Sequence, residues 1–574
     1  MTLRKSRLLF GLACLSLLAG ATAGCAKRPE PATLVLTNGK IVTLDPANPE
    51  AQALAARGDQ VVAVGTAKDI EKYIGQATEV IDLQGALATP GWIDSHLHFT
   101  GLGQAKLNLD LTKAKSWDEI VAMVGEAAKA AKPGEPITGR GWHQEKWDKV
   151  PEPNVQGFPV HSALSKVSPD NPVVLTHASG HSSLANAKAM ELGKVTAKTP
   201  NPPGGEVVKD AKGQPIGAFI ETAQGLVRGA LSRAAAAQTP EERQAEQMKV
   251  VELANQECLS KGLTSVHDAG AGTGTVDLYK KAIDEGKLQV RVYAMLSVGN
   301  KVLAEKGAEL KLLGYGQNRL TVRSVKRLID GALGPRGAWL LDPYEDLPAS
   351  KGLNTEDVAE LKETAKIAIE NGFQLNIHAI GDRANRETLD IYEEAFKAHP
   401  EAKDTRWRIE HAQHLSPADI PRFGQLGVIA AMQGIHCPSD GPWVYKRLGA
   451  KRAEEGAYVW RKLMETGAVI SNGTDAPVEA VDAIPSFYAS VTRKMNDGQV
   501  FFGSQKMTRE EALKSYTLNG AFAAFEENLK GSLVPGKLAD VTVFSKDLMT
   551  CPDDEILATE VLYTVVGGKV AYKK

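Results

Sequence analysis

The chain of 574 residues is poor in cysteine and aromatic residues and carries almost no net charge. It has 5 cysteines, 6% aromatic residues and a formal net charge of -2. Cys14 and Cys25 belong to the first 25 residues, and the three other cysteines are too few and too far apart for a disulfide framework. The basic residues are scattered, which excludes nucleic acid as a partner. Stability must therefore come from a hydrophobic core.

One apolar run stands at the start of the chain, from Leu8 to Ala19, behind three basic residues. This is the pattern of an export signal, and the run is too short for a permanent membrane helix. The segment Ala21-Thr-Ala-Gly-Cys25 resembles a bacterial lipoprotein signal in which Cys25 is lipidated. Ordinary signal-peptidase cleavage and simple secretion is the alternative. We expect residues 1–25 to be a signal and the protein to reach the periplasm or cell envelope, contacting the membrane only through a lipid anchor.

The middle of the chain alternates short apolar runs with helical patterns, which favours parallel strands joined by crossover helices. Eight such repeats predict a (β/α)8 barrel, whose active site lies at the C-terminal ends of the strands. The predicted strands lie near Ala88–Ile93, Leu263–His267, Leu288–Leu296, Val322–Ile329, Phe373–His378, Arg406–Glu410, Val428–Met432 and Ala468–Ser471.

Both ends of the chain are rich in strand patterns with Asn-Gly and Gly-Gly turns, which predicts one β-sandwich assembled from both termini. We assign residues 26–88 and 530–574 to this sandwich and residues 89–529 to the barrel. About 170 residues separate the first two barrel strands, which is too long for a loop. An inserted subdomain, about 104–255, is expected over the barrel mouth.

The most informative stretch is Asp94-Ser-His-Leu-His98, directly after the first predicted barrel strand. In an extended segment side chains alternate faces, so His96 and His98 point the same way and can bind one metal ion together. Two loop histidines without a ligand remain the alternative. Asp94 is expected to support the site rather than to bind the metal.

Other polar side chains occur at the ends of later strands. They are Lys326 in the fourth strand, His378 at the end of the fifth, His411 after the sixth and Asp475 after the eighth. The segments that carry a family pattern are Pro90-Gly-Trp-Ile-Asp-Ser-His-Leu-His98, Gly139-Arg-Gly-Trp-His143, Ala178-Ser-Gly-His-Ser-Ser-Leu-Ala-Asn186, Lys326-Arg-Leu-Ile-Asp-Gly-Ala332, Arg408-Ile-Glu-His-Ala-Gln-His414, Gly473-Thr-Asp-Ala-Pro-Val478 and Gly531-Ser-Leu-Val-Pro-Gly-Lys-Leu-Ala-Asp540. Together they resemble the metal-dependent amidohydrolase superfamily, in its YtcJ-like or amidohydrolase 3 branch.

The resemblance implies a site for one or two divalent ions, with zinc the expected metal. It implies that His96 and His98 bind the more buried ion, that His378 and His411 bind the more exposed one, and that Lys326 bridges both as a carbamate. Asp475 is implied to contact the buried ion and to move a proton from the attacking water to the leaving nitrogen. The implied reaction is hydrolysis of an amide-type carbon–nitrogen bond other than a peptide bond.

Residues of the insert and of one later loop are further candidates. His181 is a candidate catalytic donor to the developing oxyanion, and His143, Trp142 and Arg336 are candidate substrate-binding residues. For each, a purely structural role in hydrogen bonding or packing is the alternative. His414 and His436 are interpreted as supporting or incidental residues.

The sequence leaves two other functions open. The same metal site could serve an ester or lactone hydrolase or an isomerase. A catalytically inactive binding lipoprotein is the alternative of another class, and the complete set of expected ligands argues against it. A small-molecule substrate is expected, and the substrate itself and homo-oligomer formation stay open.

Overall fold

The computed structural model describes residues 29–234 and 239–574. The signal predicted for residues 1–25, including Cys25, lies outside the described residues. The described chain forms a parallel barrel, a composite pair of sheets built from both ends, and a separate sheet inserted after the first barrel strand. The predicted (β/α)8 barrel with additional sheet domains is confirmed.

The barrel consists of eight parallel strands in the order of the sequence. They are Trp92–Leu97, Leu263–Ala271, Arg291–Leu296, Leu320–Leu328, Gln374–Ala379, Arg408–His411, Ile429–Gln433 and Ile470–Gly473. Hydrogen bonds just beyond the last strand connect it to the first, since the Asp475 N–H donates to the His96 carbonyl at 2.7 Å and the His98 N–H donates to the Ala476 carbonyl at 2.7 Å. The strand ends that carry the candidate ligands therefore meet.

The first predicted strand needs a correction. The chain from Leu87 to Pro90 pairs with Val541–Phe544 in an outer sheet, and the barrel strand begins only at Trp92. Because Gly91 separates the two, the chain passes from one sheet to the other within two residues. His96 thus lies inside the barrel strand and His98 directly after it.

Helices cover the outside of the barrel because their inward-facing residues recur every three to four positions. In Asp382–Ala398, for example, Ala384, Thr388, Tyr392 and Ala395 are buried, as are the apolar Leu389 and Ile391. The other helices around the barrel are Phe99–Ala105, Pro240–Ser260, Thr273–Asp284, Asn300–Leu310, Val358–Glu370, Ile420–Leu426, His436–Gly456, Trp460–Glu465, Ala483–Thr492, Arg509–Ser515 and Leu518–Ala523.

Two sheets at the end of the barrel join the N-terminal and C-terminal segments. The four-stranded sheet contains Leu34–Thr37, Ala53–Arg57, Gln60–Gly65 and Glu79–Asp82. The six-stranded sheet contains Lys40–Val42, Glu50–Ala51, Leu87–Pro90, Val541–Phe544, Val561–Val566 and Lys569–Lys573. Apolar residues from both ends of the chain, such as Leu36 and Val543, share one core between the sheets.

The insert contains its own six-stranded sheet with a separate core. Its strands are Leu109–Asp110, Ile137–Trp142, Val173–His177, Ser182–Ala185, Gly205–Lys209 and Pro215–Glu221. The helices Trp117–Ala130, Ser162–Val167, Ala187–Leu192 and Gly225–Ala234 accompany it. The later helix Pro240–Ser260 buries Met248, Val251, Ala254 and Cys258 in the barrel core instead, so its packing belongs to the barrel.

No helix in the described ranges is long and apolar enough to cross a membrane. Cys258, Cys437 and Cys551 are free thiols, and the first two are buried.

Candidate metal centre

Asp475 lies at the centre of the candidate ligands. Its Oδ1 atom is 3.5 Å from Nε2 of His96 and 3.3 Å from Nε2 of His98. His96 is fully buried, whereas the His98 side chain is 43% exposed and faces a cleft. Ligand atoms of His96, His411 and Asp475 all lie within 4.8 Å of one another. The first and last barrel strands and the sixth therefore deliver three potential ligands to one point.

The other two predicted ligands are His378 and Lys326. The His378 ring centroid lies 4.5 Å from that of His411, which in turn lies 4.6 Å from that of His96. Lys326 is buried on the fourth strand, and it contributes to the same cleft as His98, His378 and His411. The structure thus brings together all six residues that the sequence proposed as metal ligands.

Several atoms of this cluster are buried without a hydrogen-bond partner among the described residues, namely Nε2 of His96, Nε2 of His378 and Oδ1 of Asp475. A buried polar atom without a partner is costly. The opposite nitrogens are occupied, because His96 Nδ1 contacts Glu410 Oε2 and His411 Nδ1 lies 2.7 Å from Gln433 Oε1. Such contacts fix each ring with its Nε2 lone pair directed at a metal. The donor set therefore fits a divalent ion.

Glu410 is a buried carboxylate in contact with a candidate ligand, and its place in the sequence did not single it out. It is fully buried between His96 and Arg408, whose Nε lies 2.7 Å from Glu410 Oε1. Burial raises the pKa of Glu410, but the charges of Arg408 and His96 outweigh it and hold the pKa well below its usual range. Arg408 and Glu410 lie two positions apart in a strand, so their side chains lie on the same face. This spacing indicates the ion pair from the sequence.

Asp94 holds the loop that carries Asp475. Its carboxylate accepts hydrogen bonds from the N–H and hydroxyl of Thr474, and from the N–H of His96. Gly473 permits this approach, because a Cβ there would lie 2.6 Å from the His96 nitrogen. Asp475 itself has a φ of 57°, a conformation that non-glycine residues adopt at a cost. The expected supporting role of Asp94 agrees with these contacts.

A cleft of about 600 Å³ opens over the metal ligands between the barrel and the insert. His181 stands in its wall, with its ring centroid 5.1 Å from that of His378 and its Nδ1 2.7 Å from Glu221 Oε2. Burial lowers the pKa of His181, but the Glu221 carboxylate reverses this effect and leaves the pKa above its ordinary value. His181 is therefore placed to present a positively polarised N–H to a molecule in the cleft.

Glu221 is the second residue that the sequence reasoning missed. Its backbone has a φ of 48°, and its carboxylate packs against the loop from Gly331 to Gly337. A Cβ at Gly331 would lie 1.9 Å from Glu221 Oε1. Only a glycine at position 331 leaves space for this carboxylate beside His181.

Two predicted substrate-binding residues do not contribute to the cleft. Trp142 is fully buried in the core of the insert, where its Nε1–H donates to the Leu175 carbonyl at 2.9 Å. Arg336 forms an ion pair with Asp346 at 2.9 Å and donates to the Gln156 carbonyl. The contacts of both residues indicate a structural role, because the polar groups of these side chains already bond to other residues of the protein.

His143 and His436 contribute to a small side chamber of about 50 Å³ next to the cleft, which His181, His411 and Asp475 also border. His436 Nε2 lies 3.8 Å from Asp475 Oδ2. Of the two interpretations of His436, supporting or incidental, this contact with the central carboxylate favours the supporting one. A larger surface cleft of about 800 Å³ runs beside helix Pro240–Ser260, but no candidate ligand lines it.

A parallel eight-stranded barrel with histidines and carboxylates converging at the C-terminal strand ends defines the protein as a metal-dependent hydrolase of the barrel type. The family model described as "Amidohydrolase family" (Amidohydro_3) matches residues 79–572. The chain belongs to this family, which confirms the resemblance to amidohydrolases found in the sequence.

Three known proteins illustrate the relationship. "Protein LONG AFTER FAR-RED 3" of Arabidopsis thaliana is 33% identical over 560 residues, covering 94% of this chain and 92% of the relative. The "N-substituted formamide deformylase" of Arthrobacter pascens is 27% identical over 559 residues, covering 94% and 98%. The crystal structure of an uncharacterized metal-dependent hydrolase from Pyrococcus horikoshii OT3 superposes with a TM-score of 0.71 at 27% identity, covering 91% of this chain and 99% of that chain.

Proposed function

We propose that the protein hydrolyses amide-type carbon–nitrogen bonds, other than peptide bonds, in a small molecule. The observation that carries the proposal is the position of Asp475, a buried carboxylate with one oxygen unpartnered among the described residues, between the histidines and open to the cleft. The similarity to a formamide deformylase over 94% of the chain supports the same bond type.

The chain's own residues divide the work as follows. Asp475 accepts a proton from the attacking water while the carbon–oxygen bond forms, and delivers it to the nitrogen as the carbon–nitrogen bond breaks. His181, held by Glu221, donates a hydrogen bond to the carbonyl oxygen as negative charge develops there. The insert and the barrel wall line the cleft, and the proposed ligands other than His98 are buried.

We assign the metal to the histidines, Asp475 and Lys326, and we propose zinc because imidazole and carboxylate donors suit it. When bound, such an ion would supply Lewis acidity and would lower the pKa of its bound water to near neutrality. One or two ions can be accommodated by the ligand count.

Lys326 is proposed to be carbamylated, because a free ammonium among metal ligands would repel the ion. Lys326→Ala should lose activity and at least one equivalent of metal, and short carboxylic acids should restore part of the activity. Lys326→Ala with full activity and full metal content would contradict the carbamate.

The proposed function is tested by loading the purified protein with zinc and measuring hydrolysis of N-substituted formamides, N-acyl amino acids, cyclic ureas and esters. Amide-type substrates should be cleaved, a chelator should abolish cleavage, and Asp475→Asn should lower kcat by about 10²- to 10⁴-fold. Cleavage of esters alone would instead assign an esterase on the same site. If the protein binds no divalent ion and the chelator has no effect, the proposal that it is a metal-dependent hydrolase is refuted.

We also propose that the protein is exported and anchored to the cell envelope through Cys25. Metabolic labelling with a fatty acid should mark the wild-type chain and leave Cys25→Ser unlabelled. Export without labelling of either protein would assign simple secretion.

A further inference from the structure

Arg140 is a charged side chain in the cleft that the proposed chemistry does not use. It lies on the insert strand Ile137–Trp142 and is half-buried. Its Nε–H donates to the Pro477 carbonyl at 3.3 Å and one Nη2–H donates to the Ala178 carbonyl at 3.0 Å. These two bonds fix the guanidinium between the insert and the loop after the eighth barrel strand, and they leave its remaining N–H groups for the cleft.

The described residues offer Arg140 no carboxylate at ion-pair distance. The carboxylates of the cleft have other partners: Glu221 pairs with His181 at 2.7 Å, and Glu356 accepts from the Leu328 N–H at 3.2 Å. Asp475 lies among the histidines. Other buried arginines of the chain, such as Arg291 and Arg408, face a carboxylate directly. Arg140 interacts with the Asp475 charge only at longer range, so a substrate anion in the cleft would be the first carboxylate in direct contact with this guanidinium.

A second guanidinium stands next to the first. Arg140 and Thr176 are directly paired on neighbouring strands of the insert sheet, and the Arg228 Nη2–H donates to the Thr176 hydroxyl at 3.2 Å. Arg140, Thr176 and Arg228 all line the cleft that holds the metal ligands. Burial lowers the pKa of Arg140 to about 10; the Asp475 charge opposes this shift, and the Arg228 charge adds to it less strongly, so Arg140 stays cationic at neutral pH.

We propose that Arg140 and Arg228 form a subsite for a carboxylate on the substrate, so that the natural substrates are N-acylated acids rather than neutral amides. The inference rests on the proposed function and names its substrate class. A planar guanidinium with spare N–H groups matches a carboxylate in geometry and charge. The subsite lies on the insert side of the cleft, because both arginines belong to the insert, while the metal ligands belong to the barrel.

The test compares two formamides that differ by one carboxylate, N-formyl-L-phenylalanine and N-formyl-2-phenylethylamine, on the metal-loaded enzyme. The wild type should prefer the acid by about 10- to 100-fold in kcat/KM, the range expected for hydrogen bonds to a charged group. Arg140→Met should remove most of this preference, chiefly through a higher KM for the acid, so that cleavage of the acid falls more than cleavage of the neutral formamide. Equal cleavage of both formamides by the wild type would overturn the subsite and leave the proposed function intact.

Two further variants distinguish loss of the subsite from a folding defect. Arg228→Gln removes the second charge and keeps a polar side chain at this position, and it should reduce the same preference. A preference unchanged in both variants would overturn the inference. Arg243→Gln, an exposed arginine on helix Pro240–Ser260, removes the same charge elsewhere and should leave the preference intact. If Arg140→Met lowers cleavage of both formamides equally, Arg140 has a structural role and the subsite is refuted.

A binding measurement separates failure of this inference from failure of the proposed function. N-formyl-L-phenylalanine should bind the wild type at least about tenfold more tightly than Arg140→Met, as calorimetry measures directly. If neither formamide is cleaved but this difference is found, the proposed reaction on formamides fails and the anion subsite stands. If the two proteins bind the acid equally, the subsite is refuted.

Discussion

Glu410 provides the sharpest test of how the metal centre is built. Its carboxylate holds Nδ1 of His96 on one side and the Arg408 guanidinium on the other, with all three side chains fully buried. Glu410→Gln keeps the volume but removes the charge. We expect the variant to bind metal about 10- to 100-fold more weakly, because the ring of His96 loses the partner that fixes its orientation and basicity.

The same change should destabilise the fold. Arg408 would keep its bonds to the Ser95 carbonyl at 2.6 Å and to His267 Nδ1 at 2.9 Å, but it would lose the Glu410 carboxylate that balances its charge. Leaving one charge of a buried pair without its partner costs about 3–5 kcal/mol. The free energy of unfolding of the metal-free protein measures this loss, separately from the metal affinity.

The metal affinity is measured by competition with a chromophoric chelator, and Glu511→Gln serves as the matched control. Glu511 forms a two-pronged ion pair with Arg461, at 2.9 and 2.7 Å, on the outer helix Arg509–Ser515. The control should leave the metal affinity unchanged. If Glu410→Gln binds zinc as tightly as the wild type, the contact between Glu410 and His96 does not orient the ligand, and its role in metal binding is refuted.

Three further predictions address other parts of the molecule. Glu221→Gln should lower kcat more than it raises KM, since His181 loses the carboxylate that raises its pKa; an unchanged kcat would separate the pair from catalysis. Burial raises the pKa of Asp540, but Arg291 at 2.7 Å outweighs it and holds the pKa below its ordinary value. The stabilisation from this pair is therefore fully present above about pH 3.9 and is lost as the pH falls through the lower folded-state pKa. The wild type should have a higher unfolding free energy than Asp540→Asn, and this difference should be constant between pH 5 and 7 and should shrink below about pH 3.9. Cys25→Ser should move the protein from the membrane fraction to the soluble fraction of the envelope, and fractionation that finds both proteins in the same place would contradict the anchor.

The sequence predicted the barrel well because its strands are short, buried and separated by helices of regular period. Seven of the eight predicted barrel strands are found in place, the first one begins later than predicted, and the two ends of the chain join in one pair of sheets. The error at Ala88 has a simple cause: Leu87–Pro90 and Trp92–Leu97 are both apolar and buried, so nothing in their composition marks the change of sheet at Gly91. Only the pairing partners reveal it.

The candidate ligands were also found from the sequence, because histidines and carboxylates at the ends of successive barrel strands converge when the strands are parallel. Trp142 and Arg336 were predicted to bind substrate because of their positions in the motifs. A position in a motif does not indicate which way a side chain points or which residue it contacts. Trp142 reaches a carbonyl inside the insert, and Arg336 reaches Asp346.

The sequence by itself therefore determined the class of fold and the types of residue at the metal centre, because both depend on local periodicity and on residue order. The supporting contacts were decided only by the tertiary structure. Glu410 meets His96 across 314 positions of the chain, Glu221 meets His181 across 40, and Arg140 reaches the Pro477 carbonyl across 337. Such contacts depend on how barrel, insert and closing loop pack together, which no local pattern encodes.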